Sequence, residues 1–309
     1  MPDAAISFGH TLGDMTRQAW MSEVTDLIGA RGSLTPLGSK HCASFVEDGT
    51  TLLVTFETHQ GIQTLSNQAH PLGWNMVKSV GWSHLGVISD GDTWFRDPAV
   101  YAFFDRLVDN GFFDAFDTVL FYGAGPCGYA AAAFSVTAPG AKVLAIQPQA
   151  TLDPRVAAWD RRFTHMRRVN FNDRYGYAPD MLDAASEAWI IFDPSETEDA
   201  MHAALFTKPR VTKLPMRNMG QILQTSLLQM DLLHGLIVAT GQGALTPIRF
   251  ARLMRARRDH LPYLRRLLAK LDQQGRHRLL HALCRNVADR LNAPRFVKRL
   301  QLLSEAQDG

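Results

Sequence analysis

Short apolar runs alternate with amphipathic stretches along the first four-fifths of the chain. Thr51-Leu-Leu-Val-Thr-Phe-Glu, His84-Leu-Gly-Val-Ile-Ser, Asp117-Thr-Val-Leu-Phe-Tyr, Lys142-Val-Leu-Ala-Ile, Ala188-Trp-Ile-Ile-Phe-Asp and Val211-Thr-Lys-Leu-Pro are rich in β-branched and aromatic residues. Such runs predict buried strands. Between them lie helical patterns. Residues 98–110 carry Val100, Phe103, Phe104 and Leu107 on one face, with Pro98 in the first turn. Residues 129–137 and 198–206 read as further helices. Strands alternating with helices predict a mostly parallel sheet covered on both faces. Residues up to about Gly38 read as helical and peripheral, with Ala19, Trp20, Val24, Leu27 and Ile28 at helical spacing.

From Thr246 the pattern is helical only. Thr246-Pro247 is a cap followed by proline at the first helical position. Pro262 opens a helix with a Leu264, Leu267, Leu268, Leu271 stripe, and Gly275 ends it. A third helix contains Leu279, Leu280, Leu283, Val287 and Leu291. The expected division is therefore residues 1–244, an α/β domain with a peripheral N-terminal helix, and 245–309, a helical subdomain. Charge follows the same division. The C-terminal segment holds 15 Lys/Arg against 5 Asp/Glu, and the rest 17 against 25, so +10 sits beside −8. The leucine stripe needs a partner surface, and the body is the expected one. Arg249, Arg252, Arg255, Arg257, Arg258, Arg265 and Arg266 would form a basic face, suited to a weak, sequence-indifferent polyanion contact.

The N-terminus has no basic segment followed by an apolar stretch, and no apolar run approaches the roughly 18–20 residues that span a bilayer. Cys42, Cys127 and Cys284 are far apart, with no CxxC pair. The expectation is a cytoplasmic protein in a reducing compartment, without membrane contact. His277 and His281, four apart on a helix, lack a third ligand nearby and stand among arginines, so no metal site is expected.

The densest candidate chemistry is the turn Gly123-Ala124-Gly125-Pro126-Cys127-Gly128, between a strand and a helix. Such turns place backbone N–H groups and a helix N-terminus at the carboxyl edge of a parallel sheet. The turn fits GxGxxG, and with the alanine-rich helix and the strand after it resembles the ADP-binding segment of flavin and nicotinamide oxidoreductases. That resemblance implies FAD or NAD. The ribose-binding acid expected after the next strand is Gln147 here, and the motif follows about 115 residues rather than opening its domain.

The same turn also reads as a nucleophile elbow. Trp94-Phe-Arg96-Asp97-Pro-Ala-Val-Tyr101, the small-residue turn, Pro148-Gln149 after the next strand, and Asp199-Ala-Met-His202-Ala203 occur in one order. In that order the chain resembles α/β-hydrolase-fold proteins associated with bacterial polysaccharide biosynthesis. The resemblance implies an α/β-hydrolase-like, mostly parallel sheet with helices on both faces, followed here by a helical C-terminal subdomain. It does not imply a working Ser-His-Asp mechanism. GxSxG places its nucleophile at the third position, here Gly125, and draws an oxyanion donor from the next residue, here Pro126, which has no N–H. Near Arg217-Asn218-Met219-Gly220, where the histidine would follow the last strand, there is none.

Cys127, Asp199 and His202 remain as catalytic candidates. His59, Gly123, Ala124, Gly125, Pro126, Cys127, Gly128 and Asn218 are the expected ligand contacts. Asp173-Arg-Tyr-Gly-Tyr177 lies where hydrolase-like folds often insert a lid. In overall look the chain is also similar to α-proteobacterial proteins commonly labelled phosphoadenosine phosphosulfate reductase. That chemistry uses a Ser-Gly-Gly loop and a Cys in a Glu-Cys-Gly-Leu-His-like tail. Neither is present, and Cys284 lies in an amphipathic helix. The expected function is a degenerate hydrolase-fold protein that binds a small or polar ligand at the glycine turn. A nucleotide-cofactor oxidoreductase and a polyanion-binding interaction protein are the alternatives.

Overall fold

A computed structural model describes residues 9 and 11–308 of the chain. Among them one eight-stranded sheet is built from β1 (Gly32–Leu37), β2 (His41–Val46), β3 (Thr51–Thr58), β4 (Ser83–Ser89), β5 (Thr118–Ala124), β6 (Lys142–Ile146), β7 (Glu187–Phe192) and β8 (Val211–Pro215). The order across the sheet is β1-β2-β4-β3-β5-β6-β7-β8. Only β2 runs against the others, pairing antiparallel with both β1 and β4. The remaining pairs are parallel.

The six strands predicted from the sequence are β3 to β8. β1 lies in the stretch up to about Gly38 that was expected to be helical and peripheral, and this is corrected; β2, just beyond it, is a further strand. The helix is there, Arg17–Ile28, with Thr16 capping it by accepting from the Ala19 N–H, but it ends at Gly29 and the chain turns into two strands. β1, Gly-Ser-Leu-Thr-Pro-Leu, is an edge strand that is mostly half-exposed and holds Pro36, a residue tolerated only at sheet edges. Its pattern therefore carries little hydrophobic signal.

Alternation on the central strands splits the core in two. Val119 and Phe121 of β5 pack with Phe56, Phe104, Phe134 and the buried Ala130–Ala133 on one face. Leu120 and Tyr122 pack with Leu53, Leu144, Ile146, Ile191, Leu236 and Ile237 on the other. Helices Pro98–Asp109 and Pro126–Phe134 cover the first face, and Leu223–Gln229 and Leu233–Gly241 the second. β5, which leads into the glycine turn, is fifth in the chain and lies between β3 and β6 inside the sheet. A dinucleotide fingerprint follows the first strand of its domain. With one antiparallel strand ahead of a parallel series, the fold is α/β-hydrolase-like.

The C-terminal part is helical, Leu261–Gln273, His277–Arg290 and Pro294–Asp308. Its leucines do not dock on the body as expected. Leu264 and Leu268 pack with Leu280, Cys284, Val287, Phe296 and Leu303, a core of its own. Contact with the body is both apolar and polar: Leu245, Phe250 and Met254 belong to the body's second core, and Tyr263 packs against it. Lys270 Nζ donates to Asn218 Oδ1 at 2.8 Å, and the Arg266 guanidinium donates to the Met219 carbonyl. Two charged side chains thus hold the loop that follows β8.

Candidate functional site

Gly125 caps the helix Pro126–Phe134 with φ 57° and ψ −127°, a conformation that residues with a side chain rarely adopt. Gly123 and Gly128 permit the sharp return of the chain. A Cβ at Gly123 would meet the Cys127 carbonyl oxygen at 2.0 Å, and one at Gly128 the Ile146 oxygen at 3.0 Å. The Gly125 N–H already donates to the Ile146 carbonyl at 2.8 Å, and Pro126 has no N–H. The turn therefore offers few free donors to an anion, whether oxyanion or pyrophosphate.

A cleft of about 990 Å³ opens beside the turn. Ala124, Pro126 and Cys127 form one wall, and the ends of β3 and β4 another. The 60–75 segment and Gln224, Leu228 and Gln229 complete it. Trp94 and Phe95, both on this lining, are consecutive bulky residues with φ 56°. Non-glycine residues in that region are strained and cluster at functional sites. Among the described residues lining the cleft there is no lysine or arginine, while two are acidic, Glu57 and Asp92. Asp92 lies at the exposed rim, paired with His165 at 2.6 Å.

Glu57 was not singled out from the sequence. Its Oε1 accepts from the Thr55 hydroxyl at 2.7 Å, and the Leu72 N–H donates to Oε1 and Oε2 at 3.2 and 3.0 Å. Thr55 Oγ1 also stands 2.8 Å from Nε2 of the buried His84. Burial pushes the Glu57 carboxyl up to about 7, against the opposing hydrogen bonds from Thr55 and Leu72. Burial also lowers His84 to about 3, so its imidazole is neutral. Nε2–H of that neutral ring then donates to the Thr55 oxygen while Thr55 donates to Glu57. The signal for Glu57 in the sequence was a charged residue ending a strand that is otherwise apolar.

Of the expected ligand contacts, Ala124, Pro126 and Cys127 line the cleft. Burial, with Glu57 and Asp92 adding to it, raises the Cys127 thiol far above its ordinary value, so Cys127 is a thiol and not a thiolate. His59 is not on the lining. Its ring stands edge-on to Trp20 with centroids 5.5 Å apart. Asn218, with φ 62°, lies in the loop held by Lys270.

Asp199 and His202 belong to a separate buried cluster. His202 Nε2 donates to Asp160 Oδ2 at 3.0 Å, and its Nδ1 accepts from the Ala150 N–H. Arg162 bridges Asp160 and Asp199, and the Gln147 amide donates to Asp199 Oδ2 at 2.6 Å. Gln147 Oε1 in turn accepts from the Leu223 N–H. These groups pin the segment after β6 to the helix Thr197–Leu205. The expected lid is also pinned. The buried Arg96 guanidinium donates to Tyr129, to the carbonyls of Asn170 and Arg174, and to Asp173, while Tyr175 packs in the core beside Phe134.

Another residue missed in the sequence is Asp193, directly after β7 and fully buried. Its Oδ1 accepts from the Ser195 and Asn218 N–H groups at 2.8 and 3.2 Å, and its Oδ2 from the Gly220 N–H at 2.7 Å. An acid ending an apolar strand was again the available signal.

No family model matches the chain, and no curated protein matches its sequence. Among solved structures, the chain is similar to an esterase from Pyrobaculum calidifontis, with TM-score 0.46 and 15% identity over 75% of this chain and 95% of that one. It is similar to a putative thioesterase from Silicibacter sp., with TM-score 0.45 and 12% identity over 72% and 91%. It is also similar to an acetyl xylan esterase from Paenibacillus sp. R4, with TM-score 0.38 and 13% identity over 75% and 99%.

Proposed function

We propose that this hydrolase-fold chain binds a small polar ligand in the cleft beside the glycine turn and runs no Ser-His-Asp reaction. The observation that carries this reading is Gly125, which holds the elbow's positive φ at the nucleophile's place with no side chain to attack. Chain order in such hydrolases is nucleophile, acid, histidine. Asp193 then stands for the acid and the loop after β8 for the histidine's position. In this chain that loop holds Asn218 and Met219, and the Asp193 carboxylate is spent on the loop's own N–H groups. Cys127 is no substitute, because its thiol is buried and protonated.

The oxidoreductase alternative is less favoured. Gln147, at the ribose-binding position, has its amide committed to Asp199 and Leu223, and the cleft offers no cation to a pyrophosphate. The polyanion reading rests on the exposed Arg249, Arg252, Arg255, Arg258 and Arg265, and adds a weak surface contact rather than a replacement.

Two measurements test the proposal. Hydrolysis of p-nitrophenyl acetate and of an acyl thioester should not exceed the buffer rate, and turnover lost in Cys127→Ala would make the protein a thiol hydrolase. Ligand-observed NMR with a fragment library should find binders that Leu228→Trp, which narrows the cleft, displaces. A library without any such binder would remove the cleft as a site.

A further inference from the structure

We propose that the cleft receives the protonated amine of an aromatic-sized organic ligand, with the Glu57 carboxylate as its polar receptor. This rests on the reading of the cleft as a ligand site and names the class of ligand.

Three observations carry it. The first is the sign of the lining. Among the described residues it holds Glu57 and Asp92, several amides, and no lysine or arginine. A carboxylate or phosphate ligand would meet only like charge there, and repulsion of that kind sets specificity.

The second is the state of the receptor group. Glu57 Oε2 accepts a single hydrogen bond, from the Leu72 N–H, so an ionised carboxylate keeps acceptor capacity toward the cleft. The other titratable groups around Glu57 are Tyr122, the neutral His84 behind Thr55, Cys127 on the elbow, His70 on the 66–73 loop and Asp92 at the rim. No permanently charged cation competes for Glu57 from these elements.

The third is the rest of the wall. Phe56, Trp94 and Phe95 line it together with Leu65 and Leu228, which suits a ring carried beside the amine. When an ammonium seats on Glu57 near neutral pH, the fraction of carboxyl still protonated gives its proton to solvent. One N–H···O⁻ contact forms, and no bond of the ligand breaks.

Tryptamine, tryptophol and indole-3-acetate share one ring system and differ in charge, and titration calorimetry at pH 8 compares them on the full chain. The expected order is tryptamine at least about tenfold tighter than tryptophol, with indole-3-acetate weakest. Glu57→Gln should abolish the preference of tryptamine over tryptophol without weakening tryptophol, and Glu57→Asp should retain part of it. Repeating the tryptamine titration at pH 6.5 in two buffers of different ionisation enthalpy should reveal proton release, absent in Glu57→Gln. If tryptophol or indole-3-acetate binds as tightly as tryptamine and is displaced by Leu228→Trp, the amine reading is wrong and the ligand cleft stands. If none of the three binds while library fragments do, the amine reading is again wrong. If neither they nor any library fragment binds, both readings fall.

Discussion

Two clusters of titratable groups lie near the carboxyl edge of this sheet, and they differ in one respect. In the cluster of Asp160, Arg162, Asp199 and His202, each charge meets an opposite one or a hydrogen bond, and both ring nitrogens of His202 are occupied. In the cluster of Thr55, Glu57, His84 and Tyr122, the Tyr122 hydroxyl and Nδ1 of His84 have no partner, and Glu57 borders an open cleft. The Asp160 cluster contains the residue types usually read as catalytic. Saturation, however, leaves nothing to offer a ligand, and such a network holds the fold together. The Glu57 cluster is ordinary in sequence but keeps unspent acceptors beside a cavity. Residue type nominates a site, and the unspent hydrogen-bonding capacity decides between nominees.

The largest expected effect breaks the saturated cluster. For Asp160, burial alone would raise the carboxyl, yet the hydrogen bonds from His202 and Arg162 hold it well below the usual carboxylate range. Asp160→Asn leaves Arg162 and Asp199 in place but removes the charge that His202 and Arg162 share. Removing one partner of a buried ionic network costs about 3–5 kcal/mol. Guanidinium unfolding at pH 7 measures it. The sign of the pH effect is also fixed. A depressed carboxylate contributes stability above its unfolded value and loses it as pH falls, so the wild-type advantage over Asp160→Asn should shrink below about pH 4. A loss under about 1 kcal/mol at pH 7 would mean that the network is not structural and that His202 should be reconsidered as a working base.

The sequence made the parallel core legible because β3 to β7 are buried on both faces and read as apolar runs. The β1–β2 hairpin was not legible, since β1 is a half-exposed edge with Gly32, Ser33 and Pro36. The elbow was legible in its glycines, whose close approaches leave no room for a Cβ at Gly123. The partners of Asp199 and His202 were not, because Asp160 and Gln147 come from a loop far off in the chain. Glu57 and Asp193 were within reach, as single acids ending apolar strands, but nothing local distinguishes a cleft wall from a loop anchor. The leucine stripe at 264–271 predicted burial correctly and the burying surface wrongly, since an amphipathic helix does not specify which neighbour covers it.

The intermediate effect sharpens the open cluster. The folded Glu57 carboxyl is raised from 4.5 to about 7. A raised carboxyl contributes stability that is fully present below its unfolded value and lost as pH rises through about 7. Glu57→Gln removes the cost of the buried charge while keeping an oxygen for the Leu72 N–H. The variant should match wild type near pH 4 and exceed it at pH 8 by on the order of 2–3 kcal/mol. Urea unfolding across pH 4–8 gives both curves. Parallel curves would mean that Glu57 titrates normally and that the cleft is wet around it.

The smallest effect concerns the elbow itself. A Cβ at Gly125 meets nothing within 4 Å, so Gly125→Ser is sterically open and its cost comes from φ 57° alone. Left-handed backbone costs a residue with a side chain about 1–2 kcal/mol, which thermal unfolding should detect as a modest loss. The serine so created should still fail as a nucleophile. Pro126 supplies no oxyanion N–H, a donor worth about 2.7–4 kcal/mol where it has been removed from other enzymes. The loop after β8 supplies no base to take the hydroxyl proton. A fluorophosphonate should therefore leave the variant's intact mass unchanged, and p-nitrophenyl acetate turnover should stay at the buffer rate. Stoichiometric phosphonylation at residue 125 with accompanying turnover would show that another group of this chain already provides both base and oxyanion donor. The chain would then be an esterase lacking only its nucleophile, and the open cluster at Glu57 would be the first candidate for that base.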